Sequence, residues 1–590
     1  MSRTAIVAPT GKLSHASLTA LAIAALVALV FLTFYPALSS GFVWDDDDNV
    51  TGNTTLRSAK GLSSIWLDPH SNQQYYPLTH TSFWIEYRLF GLQPWSYHLV
   101  NLLLHAASAA LFFLILRGLS VPGAWLAATV FAIHPLQVES VAWITERKNT
   151  LSGLFLMLAV LVFLRHARLL APRPGSAEPA RRSRSLPGEI SILATVLFVL
   201  ALASKTAVAT APLALLAILW WKRDRLGVRD VIGVAPILVL GVVAGSVTAW
   251  LERHHVGAAG SLPSYGILER FLLAGRALWF YAAKFVWPSG QVFIYPSWAP
   301  RAGDFLSWIL VLAAAAVPVA LCGLRRHIGK GPAAAALAYG LLIAPASGFF
   351  DLYFFVYSFV QDHFQYFGCM ALSALLGAAL AALLRRPAVF ASVSAGIVLV
   401  LAVASWQRVH VFRDAETLWL DTIARNPAAW MARGNLAKLL IARDDPGGAV
   451  PQLREALRLR PGETELHNLL GSALSKTGDT DGAIEAYRSA IRTNPGSALL
   501  HYNLGIVLAR EGRLEEAIEA NRQALRIDPR ALPAWKNLAA VLYRTGAYQE
   551  AWEAVEALRR LGGNPRPEFV RDLEEALRRS RQGATGGAGP

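Results

Sequence analysis

PGETELHNLLGSALSKTGDTDGAIEAYRSAIRTNP, residues 461–495, starts and ends on prolines 34 residues apart, and the same period continues on both sides. Pro427, Pro461, Pro495 and Pro529 form one column, Gly478, Gly512 and Gly546 a second, and Ala449, Ala483, Ala517 and Ala551 a third. Asn435, Asn503 and Asn537 keep the same phase, with Leu469 in the slot they skip. Proline stops a helix because it lacks the N–H and crowds the preceding turn. Small residues let paired helices cross closely. The columns therefore predict about four stacked helix pairs over 428–563, each burying its neighbour's apolar face.

A 34-residue helix-pair period is the tetratricopeptide pattern. Such solenoids present a concave groove, which binds peptides or protein surfaces far more often than it catalyses. Residues 406–427 read as a linker helix and 564–590 as a terminal helix and tail, with SRQGATGGAGP (580–590) expected to be disordered.

Upstream the composition changes. The 590-residue chain is only 16% charged, against about 25% in soluble proteins, and the apolar excess lies before residue 405. A crossing helix needs about 20 apolar residues. The sequence offers eleven candidate spans: 16–36, 97–117, 121–138, 150–169, 189–204, 206–221, 231–250, 304–323, 333–350, 364–384 and 388–405. The first, preceded by Arg3 and Lys12 and followed by Ala37-Leu38-Ser39, is too long for a signal peptide and reads as an uncleaved span. The predicted class is all-α, a polytopic helical bundle over 1–405 followed by a soluble solenoid.

The net charge of +15 would suggest nucleic acid in a soluble protein. Here the excess gathers in loops between spans: Arg165 to Arg184, Lys222 to Arg229, Arg325 to Lys330, and Arg385 with Arg386. No nucleic-acid partner is expected. Placing these loops in the cytoplasm puts the amino terminus inside, and the large first loop 41–96 and everything after 405 outside. Residues 271–287 are apolar, but Arg276, Phe280 and Lys284 share one stripe. That segment reads as an interfacial or re-entrant helix. The only cysteines, Cys322 and Cys369, exclude a disulfide framework and a cysteine-based zinc site.

Four stretches carry chemistry. GFVWDDDDNVTGN (41–53) concentrates Asp45, Asp46, Asp47 and Asp48 after the first span, as an acidic cap, a general base or a divalent-metal site. In 75–105, His98, Asn101 and His105 share one helix face, for function or for helix–helix hydrogen bonding. HPLQVESVAWITERKNTLSG (134–153) brings Glu139, Glu146, Arg147, Lys148 and Asn149 into a loop between the third and fourth spans, where cations point to anion binding or to a local salt-bridge set. SFVQDHFQYFG (358–368) adds Asp362, His363 and Tyr366.

FVWDDDDNVTGN, YYPLTHTSFWIEYRLFGLQPWSYHLVNLLLH and HPLQVESVAWITERKN, in that order before a repeat tail, resemble the bacterial members of the transmembrane-and-tetratricopeptide-repeat O-mannosyltransferase family. The resemblance covers the whole architecture and is most specific in the amino-terminal third. It implies a polytopic glycosyltransferase of the GT-C class in the cytoplasmic membrane, with extracytoplasmic repeats. Such enzymes take a sugar from a polyprenyl-phosphate carrier and pass it to a hydroxyl acceptor.

By that resemblance the family's acidic pair falls on Asp45 and Asp46, one of them the base. The HP…ES…RK pattern falls on His134, Pro135, Glu139, Ser140, Arg147 and Lys148. Arg147, Lys148, Arg276, Lys284 and His363 become candidates for holding the lipid phosphate, with Glu139, His98, Asn101, His105 and His134 supporting the acceptor. His363 stands where relatives carry arginine, which weakens permanent phosphate binding there, because histidine is mostly neutral above pH 6.5. No cofactor is required, although a divalent metal would suit the aspartate run. The repeats would recruit a polypeptide acceptor or partner protein. The alternatives are a ligase for O-antigen or oligosaccharide, which would carry its large loop late in the chain, a non-catalytic membrane-anchored repeat scaffold, which would need only one or two spans, and a transporter, which would place ionisable groups near the midplane.

Overall fold

The computed structural model describes residues 14–170, 191–223, 225–255 and 265–586. Arg3, Lys12, the arginines at 173, 181, 182 and 184, the start of the 189–204 span and the last four residues of the expected tail lie outside them. Among the described residues there is no strand. The chain divides into two compact units, Met1–Asn426 and Pro427–Pro590.

The first unit contains α1 (His15–Phe34), α2 (Ala59–Leu67), α3 (Pro77–Phe90), α4 (Pro94–Gly118), α5 (Ala124–Ile133), α6 (Val138–Ala142), α7 (Arg147–His166), α8 (Ile192–Ser204) and α9 (Ala211–Lys222). It continues with α10 (Val228–His254), α11 (Ile267–Val286), α12 (Phe305–Gly323), α13 (Arg325–Ile328), α14 (Gly331–Ile343), α15 (Gly368–Leu383), α16 (Pro387–Val409) and α17 (Ala415–Arg425).

Among the described residues, six helical segments are long and apolar enough to cross a membrane: His15–Ser39, Pro94–Gly118, Ile144–His166, Val228–His254, Phe305–Gly323 and Pro387–Phe412. This is the profile of a multi-pass membrane protein. The other five expected spans form apolar helices of 10–17 residues, which at 1.5 Å per residue reach about 15–25 Å against a core near 30 Å. Local breakers shorten them. Extended His134 with Pro135 ends α5, Lys205 separates α8 from a 3-10 turn, and the 3-10 turn Ala344–Ala346 ends the α14 segment.

The apolar surfaces differ accordingly. Ser307 is the one buried residue of α12, while Leu312 and Val319 are 67% and 71% exposed. Water would penalise such a surface and hydrocarbon does not. α11 buries the stripe Leu273, Ala277 and Tyr281 and leaves Arg276 exposed, the amphipathic pattern of a helix lying along an interface.

The expected linker 406–427 contains α17, which belongs to the first unit. Leu418 and Trp419 are buried, Arg408 pairs with Asp421 at 2.8 Å, and Asn426 Nδ2 donates to the Ile294 carbonyl at 3.0 Å.

The second unit is the tetratricopeptide solenoid: α18 (Trp430–Ala442), α19 (Pro446–Leu459), α20 (Thr464–Thr477), α21 (Thr480–Thr493), α22 (Ala498–Arg510), α23 (Leu514–Ile527), α24 (Leu532–Arg544), α25 (Tyr548–Arg560) and α26 (Pro567–Gly586). The column prolines follow the ends of α17, α19, α21 and α23 by two residues. All four column alanines are fully buried. Gly478, Gly512 and Gly546 turn one helix into the next at φ of +88°, +81° and +80°. Asp444, 34 residues before Gly478, adopts φ +61° in the same role, and aspartate is one of the few side chains that tolerates it. α26 carries the helix on to Gly586, so most of the tail expected to be disordered is helical.

Helix crossings fix the second-unit core. A Cβ on Gly471 would come within 2.9 Å of the Tyr487 ring, and one on Gly505 within 2.5 Å of Asn521 Nδ2. Gly471→Ala is therefore expected to destabilise the solenoid by about 1–3 kcal/mol. Gly462→Ala, where a Cβ meets nothing within 4 Å, should change it by less than about 0.5 kcal/mol. Hydrogen–deuterium exchange of α20 and α21 in the full chain reads the difference.

Candidate active site

The first unit's functional groups meet where loop 41–53 packs on hairpin 134–149. Leaving α1, the chain is anchored by Gly41 N–H donating to the Arg413 carbonyl at 2.8 Å. It then turns at Trp44 with φ +48°, a conformation that costs a bulky residue about 1–3 kcal/mol. Aromatic packing holds the turn. Trp44 stacks on Trp143 at 5.3 Å and meets Phe293, Phe354 and Trp419 edge-on.

The four aspartates consequently part company. Asp47 and Asp48 enter a helical turn and face outward, where Asp47 accepts from the Thr51 hydroxyl at 2.9 Å. Asp46 is fully buried. Its Oδ1 accepts from Thr145 N at 2.8 Å and Thr145 Oγ1 at 2.6 Å, and its Oδ2 from Val43 N at 2.8 Å. Burial, aided by the neighbouring Asp45 charge, pushes the Asp46 carboxyl up to about 8 against those three donors. Asp45 is half-buried, and its Oδ1 has no hydrogen-bond partner. Thr145 has one hydroxyl proton, already committed to Asp46. Burial raises Asp45 to about 6, with Lys148 pulling it down and Glu146 pushing it up.

Glu146 organises the charges beyond Asp45. Its Oε2 accepts from Lys205 Nζ at 2.8 Å and Asn149 Nδ2 at 2.7 Å, while Oε1 lies 3.3 Å from Lys148 Nζ and 3.8 Å from His363 Nε2. All of these residues are buried. Lys148 Nζ also donates to Gln74 Oε1 at 3.1 Å. Glu139 meets His363 twice, accepting from its backbone N–H at 3.1 Å and lying 3.2 Å from Nδ1. Next to it, Asp362 accepts from the Tyr295 hydroxyl at 2.9 Å, and burial with the Glu139 charge raises its carboxyl to about 7. Two lysines thus share one fixed carboxylate beside an aspartate of raised proton affinity. The arrangement can accept a proton and hold an anion side by side.

Other expected site residues build the frame. Arg147, expected to hold phosphate, is fully buried and committed to protein acceptors: it pairs with Glu86 and donates to Asn101 Oδ1 at 2.8 Å and the Tyr97 carbonyl at 2.7 Å, over the Phe83 ring. His98, Asn101 and His105 do share one face of α4. His98 reaches the Gly41 carbonyl at 3.4 Å, Asn101 the Trp143 and Ile144 carbonyls at 3.3 Å, and His105 the Ala132 carbonyl at 2.8 Å and Tyr366 at 2.9 Å. His134 bonds the Phe285 carbonyl at 2.9 Å and stacks on its ring. These are the hydrogen bonds of helix packing.

Arg276 and Lys284 engage other partners. Arg276 lies over Trp298 at 4.4 Å, and Lys284 donates to the Ser289 and Gly290 carbonyls at 2.6 and 3.2 Å. Among the described residues no three His, Cys, Asp or Glu groups gather as a metal would need. Lys205, Gln74 and Thr145 escaped the sequence reading. The signal for Lys205 was a lone cation between two apolar runs.

The Arg147–Glu86 pair yields a stability test. Arg147→Met leaves Glu86 buried and uncompensated, which is expected to cost about 3–5 kcal/mol. Adding Glu86→Leu should restore most of that loss in thermal unfolding of the detergent-solubilised chain.

Comparison with known proteins finds tetratricopeptide repeats in the chain. A family profile described as Tetratricopeptide repeat matches residues 406–464 and 468–532. Protein O-mannosyl-transferase tmtc2 of Xenopus laevis is 34% identical over 150 residues, covering 24% of this chain and 18% of that protein. Protein O-mannosyl-transferase Tmtc1 of Drosophila melanogaster is 34% identical over 165 residues, 26% of this chain and 19% of that protein. The chain thus spans about a fifth of the length of these relatives. The solved structure titled "Crystal structure of YrrB: a TPR protein with an unusual peptide-binding site" is 19% identical, with 30% of this chain and 87% of that chain covered at a TM-score of 0.25.

Proposed function

We propose that the chain is a membrane glycosyltransferase of the GT-C class. It moves a sugar, mannose or another hexose, from a polyprenyl-phosphate carrier to a hydroxyl of a secreted or envelope polypeptide at the extracytoplasmic face of the cytoplasmic membrane. The observation that carries the reading is the contrast between two adjacent aspartates. Asp46 has both oxygens fixed by Val43 and Thr145, while Asp45 keeps an unpartnered oxygen beside Lys148 and Glu146. One is an anchor and the other a base.

The acceptor hydroxyl gives its proton to Asp45 as its oxygen attacks the anomeric carbon. The bond from that carbon to the phosphate oxygen breaks on the opposite side, so configuration inverts, and polyprenyl phosphate leaves as an anion. Lys148 and Lys205 hold that phosphate. Their charge is partly offset by Glu146 and by ionised Asp45. When Asp45 takes up the proton, the local field becomes more positive just as negative charge builds on the leaving group, which is where preorganised electrostatics act most strongly. Arg147 acts through position, holding the hairpin on α3 and α4. The named relatives support the transferase class, and the repeats support recruitment of a polypeptide acceptor or partner.

Transfer from radiolabelled polyprenyl-phosphate sugars to envelope protein tests the reading. Asp45→Asn should lower the rate by about 10²–10⁴-fold. The base must be ionised, and its affinity for protons is raised to about 6, so the wild-type rate should climb with pH through about 6 and level off above it. The linked stability has the opposite sign. A carboxyl whose folded value is raised above its unfolded one binds protons better when folded, so stability falls as pH rises from about 4 through 6. Asp45→Asn should therefore be at least as thermally stable as wild type at pH 8. Full activity in Asp45→Asn, or no transfer from any donor, contradicts the assignment.

A further inference from the structure

Charge on the second unit is sorted by helix. The first helices of its four pairs, α18, α20, α22 and α24, carry Arg433, Lys438, Lys476, Arg510, Lys536 and Arg544 against a single acid, Glu465. The second helices carry both signs and pair them. Arg458 meets Glu455 at 2.8 Å, Arg492 meets Glu485 at 2.8 Å, Arg559 meets Glu556 at 3.1 Å, and Arg526 pairs with Glu519.

A cation in the last turn suits any helix, because the unpaired carbonyls there carry partial negative charge. Both helix sets obey that rule and differ in the counterion. The last-turn arginines of α19, α21, α23 and α25 each pair with a glutamate one or two turns earlier. Lys476, Arg510 and Arg544, again 34 residues apart, have no acid in that position, and all three are exposed. Among the described residues their one ion pair is Lys476 with Asp444, at 3.8 Å in an exposed turn. Asp445 and Asp479, also in the turns, are occupied in accepting from the N–H groups of Gly448 and Gly482 at 2.9 Å. Arg510 donates to Ser475 Oγ at 3.2 Å and Arg544 to the Ala509 carbonyl at 2.5 Å. Those bonds orient the two guanidinium groups without neutralising them.

We propose that this first-helix face binds an acidic segment of another polypeptide in extended conformation, one carboxylate to each repeat. The proposal deepens the recruitment role of the repeats and rests on that part of the proposed function, not on the chemistry at Asp45. Amides share the face. Asn503 and Asn537 stand two turns before Arg510 and Arg544. Each spends an Nδ2 proton inside the solenoid, on Asn468 Oδ1 at 3.0 Å and Asn521 Oδ1 at 3.1 Å. Each keeps its Oδ1 to accept from a peptide N–H. The bonds from α22 to α20 and from α24 to α22 make successive first helices neighbours. Packed helices stand about 8–10 Å apart, and an extended chain advances about 3.3 Å per residue. Three residues of peptide therefore match one repeat, and Asp or Glu at every third position meets Lys476, Arg510 and Arg544 in turn. Rows of amide and cation side by side fit a polypeptide, which offers both backbone and carboxylates, better than a lipid surface, which offers charge alone.

Fluorescence anisotropy of labelled peptides with the full chain in phosphatidylcholine nanodiscs reads binding without turnover. One peptide carries Glu at every third position, a second has the same residues with its glutamates grouped, and a third has Lys for Glu. Wild type should bind the spaced acidic peptide at least about tenfold more tightly than the lysine peptide and about threefold more tightly than the grouped one, with affinity falling as salt rises. Lys476→Gln combined with Arg510→Gln and Arg544→Gln should weaken that binding at least about tenfold. Arg458→Gln with Arg492→Gln and Arg526→Gln removes the same charge from the second helices and should change it by less than about twofold. Replacing Lys476, Arg510 and Arg544 by Glu should switch the preference to the lysine peptide, which requires a folded solenoid. No binding of the acidic peptide at low salt, equal losses in the two Gln triples, equal binding of all three peptides, or a Glu triple that still prefers acid overturns the proposal. Phosphatidylglycerol vesicles held by the same three cations while the acidic peptide stays unbound would assign the face to a lipid surface and overturn it too. Peptide binding as described with no sugar transfer to any acceptor would sink the transferase reading alone. Transfer to envelope protein by a chain whose repeats bind no acidic peptide would sink this surface alone.

Discussion

The contact between Asp46 and Thr145 ties together segments 99 residues apart and sets the geometry of everything around it. Three donors converge on one buried carboxylate, and each would be left unsatisfied in an apolar interior if Asp46 moved. Unmade buried hydrogen bonds cost about 1–3 kcal/mol each, so the loop has little freedom. With Asp46 pinned and Trp44 wedged against Trp143 in a left-handed turn, the backbone leaves Asp45 within the electrostatic reach of Lys148 and Glu146 and sends Asp47 and Asp48 outward. A run of like charges, unfavourable in isolation, is resolved by giving each side chain a different environment.

The same economy governs the buried cations. Lys148 and Lys205 are tolerable away from water because Glu146 lies between them, and Arg147 because Glu86, Asn101 and the Tyr97 carbonyl surround it. The two arrangements differ in what they leave available. The arginine's charge is matched by one carboxylate and its donors face fixed acceptors. The lysines share a single carboxylate with each other and with whatever lies at Asp45. A structural clamp and the proposed anion site thus sit on consecutive residues of one helix start, separated by the direction each side chain takes from α7.

How legible each part was in the sequence follows from the range of the interactions that determine it. The solenoid was readable because its period is local: the prolines, turn glycines and buried alanines stand 34 residues apart and do the same work in every repeat. Even Asp444, in the glycine column's phase, performs the glycine's turn. The membrane unit was readable as apolar helices but not as their lengths, because Pro135, Lys205 and Pro345 interrupt stretches that look continuous in composition. The aspartate run announced a site, yet which aspartate is anchored depended on Thr145, far along the chain. Arg147 looked like a phosphate ligand until α3 brought Glu86 to it. Lys205, between two apolar runs, carried no motif at all.

The most direct test of the account is a structure of the chain with a non-cleavable polyprenyl-phosphonate hexose. The account predicts the phosphorus between Lys148 and Lys205, the anomeric carbon within reach of a hydroxyl bonded to Asp45, and Asp46 still bound to Thr145 and Val43. A phosphonate lodged at Arg276 and Lys284, with the Asp45 side empty, would contradict it.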